Sequence, residues 1–213
     1  MDGGDTMRRR ALPASLFAAA AGVDPWRSRH DAWLVYAVER GAAPAPPDDG
    51  AAQPRASQAV LIGLAREDEA LEAYAHLTGA YVGPALLRVH REFPWIVARA
   101  DGVVVAEAGR RRVVEAKVRR CLDAAVPDHV LPQLMGEMAC YGAASADYVC
   151  MEAASGRVGV WRVAWSQAYW DWLLARLGNF WDCVARGTPP GALPAGDAPR
   201  VDWAAVAAWP TSK

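Results

Sequence analysis

The sequence lacks several features that would place it in a common functional class. Its four cysteines, Cys121, Cys140, Cys150 and Cys183, include no C-x-x-C pair, which argues against a zinc ribbon or an iron–sulfur cluster. The four histidines show no metal-ligand spacing. There is also no serine nucleophile elbow and no glycine-rich phosphate loop, so triad hydrolases and nucleotide-binding proteins of those types are disfavoured.

An excess of charge and a long apolar run are also missing. The 23 Lys and Arg residues against 24 Asp and Glu residues give a net charge of −1. Any contact with nucleic acid must therefore come from local basic patches. No segment approaches the roughly 20 apolar residues that a membrane helix needs, and no secretory signal is evident. We expect a cytoplasmic protein without membrane association.

The 213 residues, 53% of them hydrophobic, suffice for one well-packed domain. Apolar periodicity and turn residues predict helices over about 14–21, 28–40, 57–78, 129–141 and 166–186. Extended segments are predicted near 85–90, 95–100, 102–107, 112–118, 147–152 and 157–165. This order predicts an α/β fold with a mixed central sheet flanked by helices.

Two segments without periodicity interrupt or follow this pattern. Residues 42–56, rich in Ala, Pro, Asp and Gly, are predicted to form a mobile loop inside a domain of residues 1–190. Residues 191–213 are predicted to form a C-terminal tail that contains proline and tryptophan.

Three polar residues lie within apolar sequence: Asp101, Glu115 and Lys117. The stretch from Val113 to Val118 predicts a short strand, because β-branched residues flank the charges. Side chains alternate along a strand, so Glu115 and Lys117 should emerge on the same side. Two acids and a lysine at the edge of a small sheet would form a site for a hard cation such as Mg²⁺, as used in phosphodiester hydrolysis. The alternative is a surface Glu–Lys pair beside a hairpin turn at Asp101-Gly102.

Five short motifs occur in order between about residues 8 and 186. They are RRRALPAS with AAAAGVDPW at 8–26, GLARE at 63–67, EFPW to DG at 92–102, VEAK at 114–117, and VPDH, Gln133 and YGA at 126–143. In this order they resemble the YqaJ-type viral recombinase nucleases, relatives of lambda exonuclease within the PD-(D/E)xK superfamily.

The resemblance implies a restriction-endonuclease-like core and a Mg²⁺-dependent 5′→3′ double-strand DNA exonuclease, with Mn²⁺ able to replace Mg²⁺. Such an enzyme leaves 3′ single strands for an annealing protein of the RecT or beta type. Relatives form trimeric rings around DNA, so a homo-oligomer is expected. An endonuclease or nickase in restriction or repair, or a non-catalytic DNA-end-binding subunit, are the alternatives.

The candidate metal ligands are Asp101 as a bridging carboxylate and Glu115 as the second carboxylate. The backbone carbonyl of Ala116 is a third candidate, since an edge strand would expose it. Two divalent cations about 4 Å apart can activate water and stabilise the leaving oxygen. Lys117 would lie beside the attacking water and stabilise charge in the transition state.

By resemblance, Glu67 reaches the metals directly or through water, and Gln133 helps to hold the attacking water or the scissile phosphate. The sequence alone also permits simpler roles. Glu67 begins an acidic helical stretch that could be solvated, and Gln133 could face solvent.

DNA contacts should be made mainly to phosphates. Arg8 lies seven residues before Ser15, the separation at which the family places an arginine and a serine against a terminal 5′-phosphate, with Arg10 as a substitute for Arg8. Arg119 and Arg120 are candidates for contacts with backbone phosphates, although such runs can also be simple solvated surface. Trp26 is expected to pack beneath the phosphate pocket, with stacking on a base as the alternative.

Three features depart from the family pattern. The tyrosine that the family places after the Pro127-Asp128 pair has no clear counterpart here. Ser15 is followed by Leu16 instead of aspartate, and Glu137 stands four residues after Gln133, where the related Q-x-x-x-Y pattern has tyrosine. These departures concern DNA-end recognition and leave the predicted metal site complete.

Overall fold

The computed structural model describes residues 11–39, 41, 66–105, 109–193 and 196–208. The predicted loop at 42–56, the first part of the helix predicted over 57–78, and both Arg8 and Arg10 lie outside these ranges.

The described chain runs through a short strand, three helices, five strands, a helix, two strands, a helix and a last strand. The helices are α1 (Phe17–Ala21), which follows a 3₁₀ turn at Ala14–Leu16, α2 (Arg29–Glu39), α3 (Glu67–Thr78), α4 (Leu131–Tyr141) and α5 (Gln167–Arg186). The strands are β1 (Leu12–Pro13), β2 (Gly83–Pro84), β3 (Arg88–Val89), β4 (Ile96–Ala98), β5 (Gly102–Val105), β6 (Arg111–Arg119), β7 (Ser145–Glu152), β8 (Val158–Ala164) and β9 (Trp203–Ala208).

Helix ends follow local signals in the sequence. Ser166 caps α5, since its side chain accepts a hydrogen bond from the N–H of Tyr169 at 3.3 Å. The same helix ends at Gly187, whose φ of 66° is left-handed. Gly79 ends α3 in the same way. Within the described ranges, no helix is both long enough and apolar enough to cross a membrane.

One mixed sheet organises the domain. Its strand order is β2-β5-β6-β7-β8-β9, and β1, β4 and β3 form a smaller sheet. In the large sheet β6 and β7 run parallel, whereas the other neighbours are antiparallel. A parallel pair needs a crossover connection, which α4 supplies. The predicted fold class, a single-domain α/β fold with a mixed sheet flanked by helices, is confirmed.

Alternate residues of β6 face different helices. Val113 belongs to the core cluster that includes Leu134 of α4. Val114 and Ala116 belong to a second cluster, which includes Tyr74 of α3. Since side chains alternate, Glu115 and Lys117 share the α4 side of the sheet with Val113.

The expectation that β6 is an edge strand is wrong. It lies between β5 and β7, because the parallel crossover adds β7, β8 and β9 on one side. One flank of β6 is nevertheless open over part of its length. The register with β5 runs from Val105↔Arg111 to Gly102↔Val114 and ends there. Among the described residues, those of β6 beyond Val114 therefore have no strand partner on that flank.

Two further regions differ from the sequence-based interpretation. The Asp101-Gly102 step is not a hairpin turn, since β4 and β5 belong to different sheets. Trp203–Ala208, within the segment predicted as a tail, forms β9 and pairs antiparallel with β8. No strand was predicted there, because a run rich in alanine carries a weak strand signal.

Candidate active site

Asp101 lies where the chain leaves β4 and enters β5, beside the open flank of β6. Its backbone N–H donates to the carbonyl of Val114 at 3.1 Å. Its Oδ2 accepts the backbone N–H of Ala116 at 2.8 Å. The carboxylate thus accepts the N–H of β6 that a backbone carbonyl would accept if β5 continued.

The carbonyl of Ala116 faces the same space as the Asp101 carboxylate. In an extended strand the N–H and C=O of one residue point to the same flank. Because the Ala116 N–H is bonded to Asp101, its carbonyl oxygen is directed to that flank as well. The reason given from the sequence was wrong, since β6 is interior, but the early end of β5 opens the strand at this residue.

Glu115 lies under the site and is held by two donors. Its side chain is buried, with 1% of the residue exposed. Oε1 pairs with the ammonium group of Lys117 and accepts Nε2 of Gln133 at 2.5 Å. The charge of this carboxylate also acts on Asp101. The predicted convergence of Asp101, Glu115 and Lys117 is therefore present in the fold.

The electrostatics of the site are governed by crowded carboxyl groups. Burial, and after it the charge of Glu115, raise the pKa of Asp101 to about 7. Burial opposes the charge of Lys117, but the Glu115 and Asp101 carboxylates outweigh it and hold the pKa of this lysine above its ordinary value. Lys117 is therefore a fixed cation near neutral pH and not a general base.

Glu67 lies at the start of α3, close to the same cluster. Burial, followed by the charge of Asp101, raises the pKa of Glu67, and Lys117 offsets part of this rise. The helix thus brings a further carboxyl to the rim of the site, as the family resemblance implied.

Gln133 and Glu137 approach from α4, one turn apart. Besides Glu115, Nε2 of Gln133 bonds Oε1 of Glu137 at 2.9 Å. Glu137 is fully buried, and its Oε2 has no hydrogen-bond partner. Burial and the charge of Glu115 raise the pKa of Glu137 well above its ordinary value. Gln133 faces the site, so the alternative of a solvent-facing side chain is not what the structure shows.

The donor set suits a hard divalent cation. No three Asp, Glu, His or Cys side chains in the described residues form a metal centre by themselves. The set instead combines two carboxylates, Asp101 and Glu115, with the carbonyl of Ala116. Oε2 of Glu115 is buried and lacks a hydrogen-bond partner. A cation would relieve the repulsion between these acids, and Mg²⁺ binds with few protein oxygens because it keeps several waters.

A small cavity adjoins the site on the α4 side. It has a volume of about 70 Å³, and its lining includes Ser15, Arg99, Gln133 and Glu137. The fold therefore brings Ser15 and Gln133 to the same cavity. Arg99, two residues before Asp101, supplies a cation there.

Arg119 and Arg120 lie at the far end of β6, beyond Lys117. Arg119 shares the face of Glu115 and Lys117 and is half-buried, whereas Arg120 is exposed. Neither forms an ion pair with the site's carboxylates among the described contacts. Both remain candidates for phosphate contacts at the rim.

The sequence that forms this site also matches a known family. The family model of the YqaJ-like viral recombinase domain matches residues 5–145, more than half of the chain. The chain belongs to the YqaJ-like viral recombinase domain family. Among curated protein sequences, none matches it significantly.

Solved structures share the fold of this YqaJ-like domain. An alkaline exonuclease (LHK-Exo) from Laribacter hongkongensis superposes with a TM-score of 0.65 at 17% identity, covering 85% of this chain and 91% of that one. The complex of LHK-Exo with dAMP gives 0.65 at 18% identity, with 84% and 91% covered. A phage-related exonuclease from Haemophilus somnus 129PT gives 0.57 at 13% identity, with 83% and 94% covered. At these identities the likeness concerns the fold.

Sequence reasoning did not assign roles to two residues of this YqaJ-like site, Arg99 and Glu137. Arg99 precedes Asp101 by two residues and carried no pattern of its own. Glu137 follows Gln133 at helical spacing, so its place beside the site could have been found from the i, i+4 relation. A third signal was overlooked: Lys117 is one of only two lysines in the chain, the other being Lys213.

Proposed function

We propose that this chain is a Mg²⁺-dependent 5′→3′ exonuclease on double-stranded DNA ends. The observation that carries the proposal is the convergence of Asp101, Glu115, Lys117 and the Ala116 carbonyl at the open flank of β6. Membership of the YqaJ-like family supports it. The product would be a 3′ single strand for an annealing protein of the RecT or beta type.

Asp101, Glu115 and the carbonyl of Ala116 would hold the cation, with Glu67 contributing directly or through water. When bound, two Mg²⁺ ions would activate water and offset charge on the leaving oxygen, and Mn²⁺ would serve in their place. Without a cation, the carboxylates would repel a phosphodiester. The chain's acids therefore make cleavage depend on a divalent ion.

Lys117 would stabilise the charge that develops on the scissile phosphate. Its ammonium group is fixed by Glu115 and stays charged, because the neighbouring acids raise its pKa. A preorganised cation needs no rearrangement during the reaction.

Gln133 would orient the reacting groups from α4. Its Nε2 donates hydrogen bonds to Glu115 and to Glu137. Its amide oxygen is left to accept a hydrogen bond from the attacking water. Glu137 fixes the amide in this orientation.

Recognition of a terminal 5′-phosphate would use the cavity next to Gln133. Ser15 and Arg99 line it, and the family pattern adds Arg8 or Arg10. An arginine and a hydroxyl are suitable donors for a phosphate monoester. Arg119 and Arg120 would contact backbone phosphates farther along the duplex, and a homo-oligomer such as a ring would keep the enzyme on its substrate.

The test is incubation of the protein with Mg²⁺ or EDTA on two substrates, a linear 5′-phosphorylated duplex and a closed circular duplex. The proposal predicts metal-dependent loss of the linear DNA only. Labels on each strand end should show release from the 5′ end and a remaining 3′ strand. Cutting of the circle would support an endonuclease instead. DNA binding without cleavage of either substrate would indicate a non-catalytic end-binding subunit.

A further inference from the structure

Trp26 is an unusually exposed tryptophan in this protein. It is 74% exposed, against 41% for Trp203, and the other described tryptophans are buried or half-buried. The exposed face of an indole can stack on another planar ring. The expectation that Trp26 packs beneath the phosphate pocket is wrong.

The backbone around Trp26 is held firmly despite this exposure. Oδ1 of Asp24 accepts the N–H groups of Trp26 and Arg27 at 2.8 and 3.1 Å. Immediately afterwards, the Ser28 side chain caps α2 by accepting the N–H of Asp31 at 3.1 Å. A rigid turn thus presents the ring, which reduces the entropy lost on binding.

One ring contact links Trp26 to the segment that leads into α4 of the candidate active site. The indole meets the ring of His129 edge-on, with centroids 4.7 Å apart and planes at 83°. His129 lies four residues before Gln133, in the turn that leads into α4. Arg119 is within electrostatic reach of His129, as are the carboxylates of Asp24, Asp123 and Asp128. Arg119 lies two residues, or about 7 Å, beyond Lys117 on the same face of β6.

We propose that Trp26 is a stacking platform for an unpaired nucleobase at the DNA end bound in the candidate active site. This inference rests on the proposed function. The His129 contact is edge-on, so most of the indole remains uncovered for a planar ligand. Arg27 follows Trp26 in the chain and Arg119 acts on His129, so both cations are available for the adjoining phosphates. Asp24 is engaged by the turn. Aromatic rings flanked by cations are how proteins bind unpaired nucleotides without reading their sequence.

The chemistry explains why such a platform would help an exonuclease. Removal of a terminal nucleotide requires its phosphodiester to reach the metal ligands, which a fully paired end hinders. A ring that stacks on an unpaired base stabilises the frayed end over the paired one. Trp26 would act as a positioning residue, and its loss should raise KM more than it lowers kcat.

Binding can be measured without cleavage in the Lys117→Ala background by fluorescence anisotropy with Mg²⁺. The probes are a 5′-phosphorylated duplex with two unpaired terminal nucleotides and the same duplex with abasic sites in their place. Adding Trp26→Ala should weaken binding of the first probe about 5- to 150-fold, the range for loss of one stacked base. Trp26→Phe should retain most of the affinity. The abasic probe should bind equally with or without Trp26.

Trp203→Ala is the matched control. Trp203, on β9, pairs with Val163 of β8. Across the sheet this position is level with Val113, near the end of β6 opposite to Arg119. Its substitution should therefore not affect binding. The stacking role would be overturned by equal losses of affinity on both probes or by no loss with Trp26→Ala. An altered oligomeric state with unchanged DNA affinity would overturn it as well. None of these outcomes would affect the proposed function. Absence of DNA-end binding by the Lys117→Ala protein itself would overturn both.

Discussion

The backbone N–H of Ala116 donates to Oδ2 of Asp101 at 2.8 Å. This bond joins the carboxylate of Asp101, which lies between β4 of the small sheet and β5 of the large sheet, to the interior strand β6 of the large sheet. The position of Asp101 is thus set by main chain, while Glu115 is set by Lys117 and Gln133. The candidate ligands are held before any cation arrives, as preorganisation of a metal site requires.

We expect Asp101→Asn to stabilise the metal-free protein at pH 8. Burial and the charge of Glu115 raise the pKa of Asp101 from 3.8 to about 7. Between these values the folded state binds a proton that the unfolded state releases, so the free energy of unfolding falls as pH rises. Asparagine removes this fall. The gain at pH 8 should be at most about 4 kcal/mol, since the pKa differs by about three units between the two states and one unit corresponds to about 1.4 kcal/mol.

Thermal unfolding in EDTA at pH 5 and pH 8 measures this effect. The advantage of Asp101→Asn should shrink at pH 5, where wild-type Asp101 is protonated. Mg²⁺ at pH 8 should raise the Tm of the wild type and have little effect on the variant. Equal Mg²⁺ stabilisation of both proteins would contradict the role of Asp101 as a ligand.

The ammonium group of Lys117 should titrate above the ordinary lysine value of 10.5, because Glu115 and Asp101 raise its pKa against the effect of burial. Glu115→Gln should lower that pKa. Protein labelled with ¹⁵N-lysine is suited to the measurement, since the chain has only two lysines, Lys117 and Lys213. Deprotonation of Lys117 before Lys213 in the wild type would refute the assignment of a fixed cation.

Asp147 should be one of the most sensitive positions for stability. It is fully buried and accepts the Tyr74 hydroxyl at 2.7 Å. It also pairs with Arg162 at 2.8 and 2.9 Å and with Arg112 at 3.2 Å. Asp147→Ala would leave two guanidinium groups without their partner and should cost about 3–5 kcal/mol. Tyr74→Phe, which removes one hydrogen bond, should cost about 1 kcal/mol.

Denaturant unfolding of the three proteins provides the comparison. The order wild type, Tyr74→Phe, Asp147→Ala is expected for decreasing stability. Glu69→Ala, which removes an exposed pair with Arg66, serves as the surface control and should change little. A loss for Asp147→Ala no larger than that control would contradict the network's role.

Gly136 should tolerate no side chain, whereas Gly178 should accept one. A Cβ at Gly136 would lie 2.4 Å from the Phe17 ring and 3.2 Å from the Cβ of Ala14, and at Gly178 it would meet nothing within 4 Å. Gly136→Ala should destabilise the fold by about 1–3 kcal/mol through overpacking. Gly178→Ala should stabilise α5 by roughly 0.5–1 kcal/mol.

Thermal unfolding checks the opposite signs of these two substitutions. Gly136 packs against Ala14 and Phe17, which flank Ser15. The Gly136→Ala variant should therefore also bind a 5′-phosphorylated DNA end more weakly than the wild type does, with a smaller loss for an unphosphorylated end. Destabilisation by both alanines would show that loss of glycine, and not contact with Phe17, is responsible.

Local features of the chain were readable from the sequence. Helix α5 begins after Ser166 and ends at Gly187 because of interactions within one turn. The two-residue alternation of a strand placed Glu115 and Lys117 on one face. These depend on neighbours along the chain, so their patterns are visible in it. The family motifs then connected Glu67 and Gln133 to the same site.

Long-range relations were not readable in this way. The interior position of β6 depends on pairing with β5 and β7, and the addition of β9 depends on hydrogen bonds from an alanine-rich segment. Burial of Glu137 and exposure of Trp26 follow from how α4 and the turn before α2 pack. No periodicity encodes those contacts, which explains why Trp26 was placed wrongly. The position of Glu137 beside Gln133, in contrast, follows from the i, i+4 spacing on α4, and only its burial was beyond the sequence.

The central claim is that Lys117 and its neighbouring carboxylates cleave phosphodiesters. The most direct test is the initial rate of nucleotide release from a linear 5′-phosphorylated duplex with Mg²⁺. The proteins compared are the wild type, Lys117→Ala, Lys117→Arg and the surface control Arg186→Ala. Circular dichroism first shows that all four are folded. We predict a loss of roughly 10²-fold or more for Lys117→Ala, little rescue by arginine because its planar group cannot replace a compact ammonium, and no loss for Arg186→Ala. Cleavage by Lys117→Ala at the wild-type rate would contradict the account.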